Sequence, residues 1–299
     1  MPKPMEAHRI DNSALIHLAV HNKWHSNVFR LECHLKSGIR PAGLQRAADA
    51  AAVRFPMLAA GIRKQGSNFV VVPTPERLNI RVDSQPLGYM SAEELRARAD
   101  AEHTTLTAYF TALFAKTAME IQKAETRPGK PLLPVQIMVP IDLRRRFPSG
   151  SCRNFSLYAL PKLTPEAAEA PFSEIAENMA VQLRVQSSYS RLRSAIATNV
   201  ELERRTSALP LWTKCAALRA GFEVCGGRSS CITVSNLGRV TFPEPVQQEI
   251  ERLDFLLTPR IHSPYNCGIV SVGDTLSLTL TRRGAETGVE KRLLEKLGR

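Results

Sequence analysis

Long apolar runs are missing from this chain of 299 residues. None approaches the ~18 residues that a membrane-spanning helix requires. The opening segment, MPKPMEAHRIDNSALIHLAV, contains no apolar core of signal-peptide length. A soluble, cytoplasmic protein is the expectation. Paired cysteines are also missing. Cys33, Cys152, Cys215, Cys225, Cys231 and Cys267 include no CxxC pair and have no histidine at a zinc spacing. Reduced thiols are therefore expected, with no metal site and no tightly bound cofactor. Glycine-rich phosphate loops, the dinucleotide-binding fingerprint, paired carboxylates, internal repeats and low-complexity tracts are absent too. Aromatic residues are scarce, at 6%, and are not interleaved with the basic ones, so the net charge of +12 does not by itself read as a nucleic-acid surface. That charge still favours polyanionic partners such as acidic headgroups or a phosphorylated small molecule.

What is present is the composition of a globular protein, 43% hydrophobic and 23% charged. The residues SNVFRLECHLK (26–36) alternate, placing Phe29, Leu31, Cys33 and Leu35 on one face and Arg30, Glu32, His34 and Lys36 on the other. That is a strand with one wet face, on which His34 is expected to meet solvent. Pro41 opens a helix that carries Leu44, Ala47, Ala48, Ala51 and Phe55, and Pro56 stops it. NFVVVP (68–73) reads as a short buried strand. Ser91 and Glu94 form a capping box for one helix, and Thr105 caps a second with Leu106, Phe110, Leu113, Ala118 and Ile121 inside. PVQIMVP (134–140) is a continuous apolar strand of the kind buried on both faces. A long helical region over about 165–206, broken near Pro171, precedes four strands in quick succession. The class is α/β, with a boundary near Pro86-Leu87-Gly88.

One stretch asks for more than fold. In VPIDLRRRFPSGSCRNFS (139–156), three arginines directly follow an apolar strand. Together with RIDNSALIH (9–17), SNVFRLECHL (26–35), LQRAADAAAVRFP (44–56), SNLGRVTFPEPVQQEIERLDF (235–255) and NCGIVSVGDTLSLTLTR (266–282), in that order, it resembles bacterial alcohol acetyltransferase-like proteins. These form a branch of the superfamily of chloramphenicol acetyltransferase and the peptide-synthetase condensation domains. The resemblance implies a layered sheet-and-helix fold of two similar halves with a channel between them. It also implies acyl transfer from acyl-CoA to a small alcohol or amine acceptor. In the family a histidine of an HHxxxDG motif is the general base, and the motif aspartate pairs with an arginine. Arg144 is a candidate for that structural arginine; otherwise it is a packing or capping group, with Arg145 and Arg146 solvated in a turn.

The chain departs from this pattern at the chemistry itself. No HHxxxDG occurs, and none of the seven histidines has an aspartate four residues on. RVDSQPLG (81–88) resembles the family just before its catalytic strand, whereas GYMSAEELRARADAEHTTLTAYF (88–110) resembles a family segment that lies a long stretch beyond that strand. The block between them is missing at about Gly88, which implies an incomplete N-terminal half. Residues 1–88 would form a partial N-terminal subdomain and residues 89–299 a C-terminal one. No residue is assigned as catalytic. His103 reads as an exposed loop histidine and His262 as a loop histidine near the channel motifs. Ser235, Asn236 and Gly238 of SNLGRV, with Asn154, are the substrate or CoA channel candidates; the alternative for SNLG is a strand-ending turn. Activity would be impaired, or the chain would be a non-catalytic remnant or interaction protein. Oligomeric state is left open.

Overall fold

The computed structural model describes residues 8–10, 12–21, 29–66, 68–73, 90–149, 155–221, 232–259, 263–282 and 288–297. In chain order the elements are β1 (His8–Arg9), α1 (Asn12–Val20), β2 (Phe29–Leu35), α2 (Pro41–Arg54), β3 (Ala60–Gln65), β4 (Asn68–Pro73), β5 (Met90–Ser91), α3 (Ala92–Ala101) and α4 (Leu106–Glu125). They continue with β6 (Val135–Asp142), β7 (Ser156–Ala159), β8 (Lys162–Leu163), α5 (Phe172–Gln186), α6 (Tyr189–Thr206) and α7 (Leu211–Gly221). The last are β9 (Ile232–Val240), α8 (Glu244–Gln247), β10 (Ile250–Leu257), β11 (Tyr265–Val272), β12 (Thr275–Arg282) and α9 (Gly288–Lys296). Short 3₁₀ turns follow α2 and β6 and precede α5.

The main sheet runs β5-β12-β11-β9-β6-β7, with β8 also on β6. Strands β6, β9 and β11 are parallel, and β12 turns back antiparallel through the tight Gly273–Asp274 connection. Helix α4 lies along this sheet. The Thr105 hydroxyl caps it, accepting from Ala108 N at 3.2 Å. Phe110, Phe114 and Met119 of α4 pack with Ile137, Ile232 and Ile269 in a core closed by Leu95 of α3, Ile175 and Met179 of α5, and Leu293 of α9. Such non-directional burial is what stabilises this layer, at roughly 1.5–3 kcal/mol per large apolar side chain.

The sheet's other face carries β10 in an unusual way. The carbonyls of Phe255 and Leu257 accept from the hydroxyls of Thr279 and Thr281 on β12, so threonine side chains stand where a neighbouring strand's N–H groups would. This close approach is possible because position 268, directly beneath, has no Cβ; one placed there would lie within 2.9 Å of the Phe255 carbonyl carbon and overlap its oxygen. Ile250, Leu253, Phe255, Val270 and Val272 form a second small core around this corner.

Several expectations need correcting. The 26–36 strand forms over Phe29–Leu35, but its faces are reversed in exposure. Phe29 is 58% and Leu31 55% exposed, while Glu32 and His34 are half-buried against β10. Among the described residues no layer covers the apolar face, and the polar face finds charged partners instead. Helix α2 starts at Pro41 as expected, yet it buries no residue, and Leu44 and Phe55 are exposed. Strand β4 buries only Val70. In β6, Val135, Ile137 and Val139 are buried, but Gln136 and Met138 are only half-buried and Pro140 is exposed, so the strand has one dry face and not two. The long helical region divides twice, at Pro171 and again between Gln186 and Tyr189. Gly88, Asn154 and His262 lie outside the described residues. Among the described residues, no helix is long and apolar enough to cross a membrane.

Candidate functional site

Parallel strands β6 and β9 end on the same side of the sheet as the start of α4, and side chains join all three. The Asn236 amide donates to the Thr107 hydroxyl in the first turn of α4 at 3.1 Å, and its oxygen accepts from Gly238 N at 2.8 Å. Strand β9 does not end at SNLG but continues to Val240. Its register with β11 slips by one residue between Asn236 and Arg239, and Gly238 takes φ +79° there. This is a β-bulge with glycine in the left-handed region, a conformation that other residues adopt only with strain. The bulge brings position 238 to 3.5 Å from the Arg145 guanidinium, as measured from the place a Cβ would occupy.

The three arginines leave the end of β6. Leu143 is buried and anchors the 3₁₀ turn, and Asp142 accepts from Arg144 N at 3.1 Å and from Arg144 Nη1 at 3.2 Å. The Arg144 guanidinium also lies over the Phe155 ring at 5.9 Å. Arg144 is half-buried, whereas Arg145 and Arg146 are exposed. Its side chain, still 36% exposed, runs along the surface and does not enter the core. The positive end of α4's dipole, Arg144, Arg145 and exposed Arg239 thus share one margin of the sheet, a field suited to an anionic group.

The candidates are therefore only partly brought together. Asn236 and Gly238 meet at the α4 margin with Arg145 beside them, whereas Arg144 turns to Asp142 and the Phe155 ring. Ser235 points to the opposite face, in register with Gly268 beneath β10, and is buried. There it belongs to a polar strip that sequence reasoning missed, comprising Thr233, Asn266, Ser263 and Ser277, all buried. Thr233 and Ser263 hydroxyls lie 3.3 Å apart. The Asn266 amide nitrogen and the Ser277 hydroxyl are buried with no hydrogen-bond partner. An unpaired buried donor costs about 1–3 kcal/mol, so these atoms mark a place where a polar group would be accepted. The alternation of Asn266, Gly268 and Val270 in NCGIV was the available signal, but small polar residues in a strand equally mark a solvated face.

Of the histidines considered as substitute bases, His34 and His103 lie among the described residues. His103 is exposed in the turn before α4, with φ +50°. His34, expected at the solvent surface, instead sits in a charged cluster. Its Nε2 is 2.9 Å from Asp254 Oδ2, and the Arg252 guanidinium lies 3.1 and 3.2 Å from its two ring nitrogens. Asp254 is almost wholly buried. With Glu32, these residues place three potential metal-ligand atoms within 4.8 Å of one another. Arg252 already supplies the positive charge that two carboxylates demand, which leaves little reason for a metal. Tyr109, in the first turns of α4, is no better as a base. Burial pushes its hydroxyl above the ordinary value, against the opposing pull of Arg98.

No family model and no curated protein matches the chain. Solved structures do. The structure of F. sporotrichioides TRI101, complexed with coenzyme A and T-2, superposes with a TM-score of 0.60 at 10% identity, covering 97% of both chains. A wax ester synthase/diacylglycerol acyltransferase from Marinobacter aquaeolei VT8 matches 71% of this chain at a TM-score of 0.40 and 14% identity. Polyketide synthase associated protein 5 from Mycobacterium tuberculosis matches 69% at 0.39 and 14%. The chain spans about half the length of these last two, 48% in each case. The fold is the α/β, chloramphenicol acetyltransferase-like layered arrangement of sheet and helices.

Proposed function

We propose that the chain is a CoA-dependent acyltransferase-type protein that binds acyl-CoA and transfers its acyl group to a small alcohol only at a severely reduced rate. Support comes chiefly from the superposition on TRI101 over nearly the whole chain. In such a transfer the acceptor oxygen attacks the thioester carbonyl, the C–S bond breaks, and the acceptor's proton must go to a base. The family's motif base is what this chain lacks, since no HxxxD occurs in it, and among the described residues His34 is tied to Asp254 and Arg252. Loss of a general base typically removes ~10²–10⁴ in rate. The arginines beside α4 would meet the CoA phosphates, Arg144 holding the turn in shape through Asp142 and Arg145 offering its guanidinium. Thiol release from acetyl-CoA with simple alcohols tests this, with turnover near background as the expected result. His34→Ala and His103→Ala should leave any residual rate unchanged. Robust turnover abolished by either substitution would overturn the proposal.

A second reading, a non-catalytic interaction protein, is favoured by one observation. Phe29, Leu31 and Leu35 of β2, with Val53, Phe55, Leu58 and Ile62, stand exposed with no layer over them among the described residues. The two readings separate on binding, because only the first requires affinity for CoA.

A further inference from the structure

The outer edge of β2 offers more than uncovered apolar surface. Phe255 and Leu257 aim their carbonyls away from β2, at Thr279 and Thr281. They face Leu31 and Phe29 across the antiparallel pair. These are therefore the non-hydrogen-bonded pairs, and the even-numbered residues of β2 make the ladder bonds to β10. Lys36 N donating to Glu249 O fits the same alternation. It follows that Phe29, Leu31, Cys33 and Leu35 direct their N–H and C=O groups outward. Among the described residues no strand pairs with that edge, and all four are exposed.

An unpaired strand edge, exposed and apolar on one face, is a template for another strand. Charge decides which strand fits. We propose that β2 pairs antiparallel with β2 of a second copy of this chain, with the two-fold axis through Leu31. In that register Arg30 of each chain faces Glu32 of the other as a closely spaced, non-hydrogen-bonded pair, and Phe29 faces Cys33. Arg30 has its guanidinium largely exposed on the Glu32 side, where the two already touch within one chain at 2.6 Å. The competing registers are poorer. An axis at Glu32 sets Glu32 against its own copy and Arg30 against His34. An axis at Cys33 sets Arg30 against Lys36. Of these three axes only that through Leu31 leaves no like charges opposed, and an axis at His34, which would set Glu32 against Lys36, brings each His34 against its own copy. It also joins the two β10-β2 ribbons into one four-stranded sheet whose apolar face, Phe29 and Leu31 from both copies, becomes continuous. This dimer goes beyond the acyltransfer proposal and does not depend on it.

The test is the mass of the full chain in solution. At about 100 µM, above the micromolar Kd of a modest interface, sedimentation should give twice 33.1 kDa. Leu31→Lys, a charge on the axis at an exposed position, should return it to 33.1 kDa with unchanged circular dichroism. Arg30→Glu should weaken association at least ~10-fold by opposing Glu32 of the other copy. Leu31→Cys should yield a disulfide-linked dimer under mild oxidation, because hydrogen-bonded pairs hold Cα atoms about 5.5 Å apart. The unsubstituted chain, with Cys33 off the axis, should not. A monomeric wild type, or a dimer that survives both Leu31→Lys and Arg30→Glu, refutes the interface. Equal cross-linking through native Cys33 refutes the register.

Discussion

Gly268→Ala is the substitution for which the fold makes the sharpest demand. Position 268 lies under β10, and an added methyl would sit 2.7 Å from Thr279 Oγ1 and 2.9 Å from the carbonyl carbon of Phe255, overlapping that residue's oxygen. These are backbone atoms and a short side chain already engaged in hydrogen bonding, so no flexible group can yield. Strand β10 must lift off the sheet. Overpacking of this kind costs about 1–3 kcal/mol. Lifting also weakens the bonds from Thr279 and Thr281 to the β10 carbonyls, each contributing about 0.5–1.5 kcal/mol. Together the loss should be about 3–5 kcal/mol. At ~2–4 °C per kcal/mol for a large domain, the melting temperature should fall by roughly 6–20 °C. Calorimetry or urea unfolding reads this directly. Gly43→Ala is the matched control: it sits within α2 with no atom nearer than 3.9 Å, so stability should hold or rise by up to ~1 kcal/mol. A Gly268→Ala protein melting within about 2 °C of wild type would refute the close approach of β10 to the sheet.

Three further outcomes rest on particular contacts. Thr105→Ala removes the cap that accepts from Ala108 N and should cost about 0.5–2 kcal/mol in urea unfolding, with Thr105→Asn largely restoring it. Asp254→Ala removes the buried carboxylate that both Arg252 and His34 contact and should destabilise by about 1–3 kcal/mol, measured by thermal denaturation. Burial pushes the Cys267 thiol well above its ordinary 9.0. The unfolded chain therefore releases that proton first, and stability should decline by ~1.4 kcal/mol per pH unit as pH rises above about 9. Cys267→Ala should flatten that decline in unfolding curves taken across pH 8–11.

Elements whose signals are local were legible in the sequence. Pro41, Thr105 and the four closing strands act through backbone sterics, capping and short-range alternation, and each stands where those features put it. What remained hidden depends on partners distant in the chain. Alternation in β2 named two faces but could not say which is dry. That choice is made by Arg252 and Asp254, about 220 residues away, which take in Glu32 and His34. Pro171 marked one break in the long helical region, but the pair Ser187-Ser188 carries no comparable steric stop, and the second break was missed. At the site, Asn236 was recognisable as a polar residue beside a glycine. Its engagement with Thr107, 129 residues earlier, and the turning of Ser235 to the opposite face could not be read before the sheet was assembled. Asn266 was hidden for the same reason, since only the placement of β10 makes it buried.

Calorimetric titration of the full chain with coenzyme A tests the proposed function most directly, because it asks for binding without asking for turnover. Heat of binding with a dissociation constant in the range of about 10⁻⁵–10⁻³ M, weakened several-fold by Arg145→Ala and by raised salt, is the expected result. No heat up to millimolar coenzyme A, from a chain that melts cooperatively, would contradict it and leave a fold that has kept the acyltransferase form without its ligand.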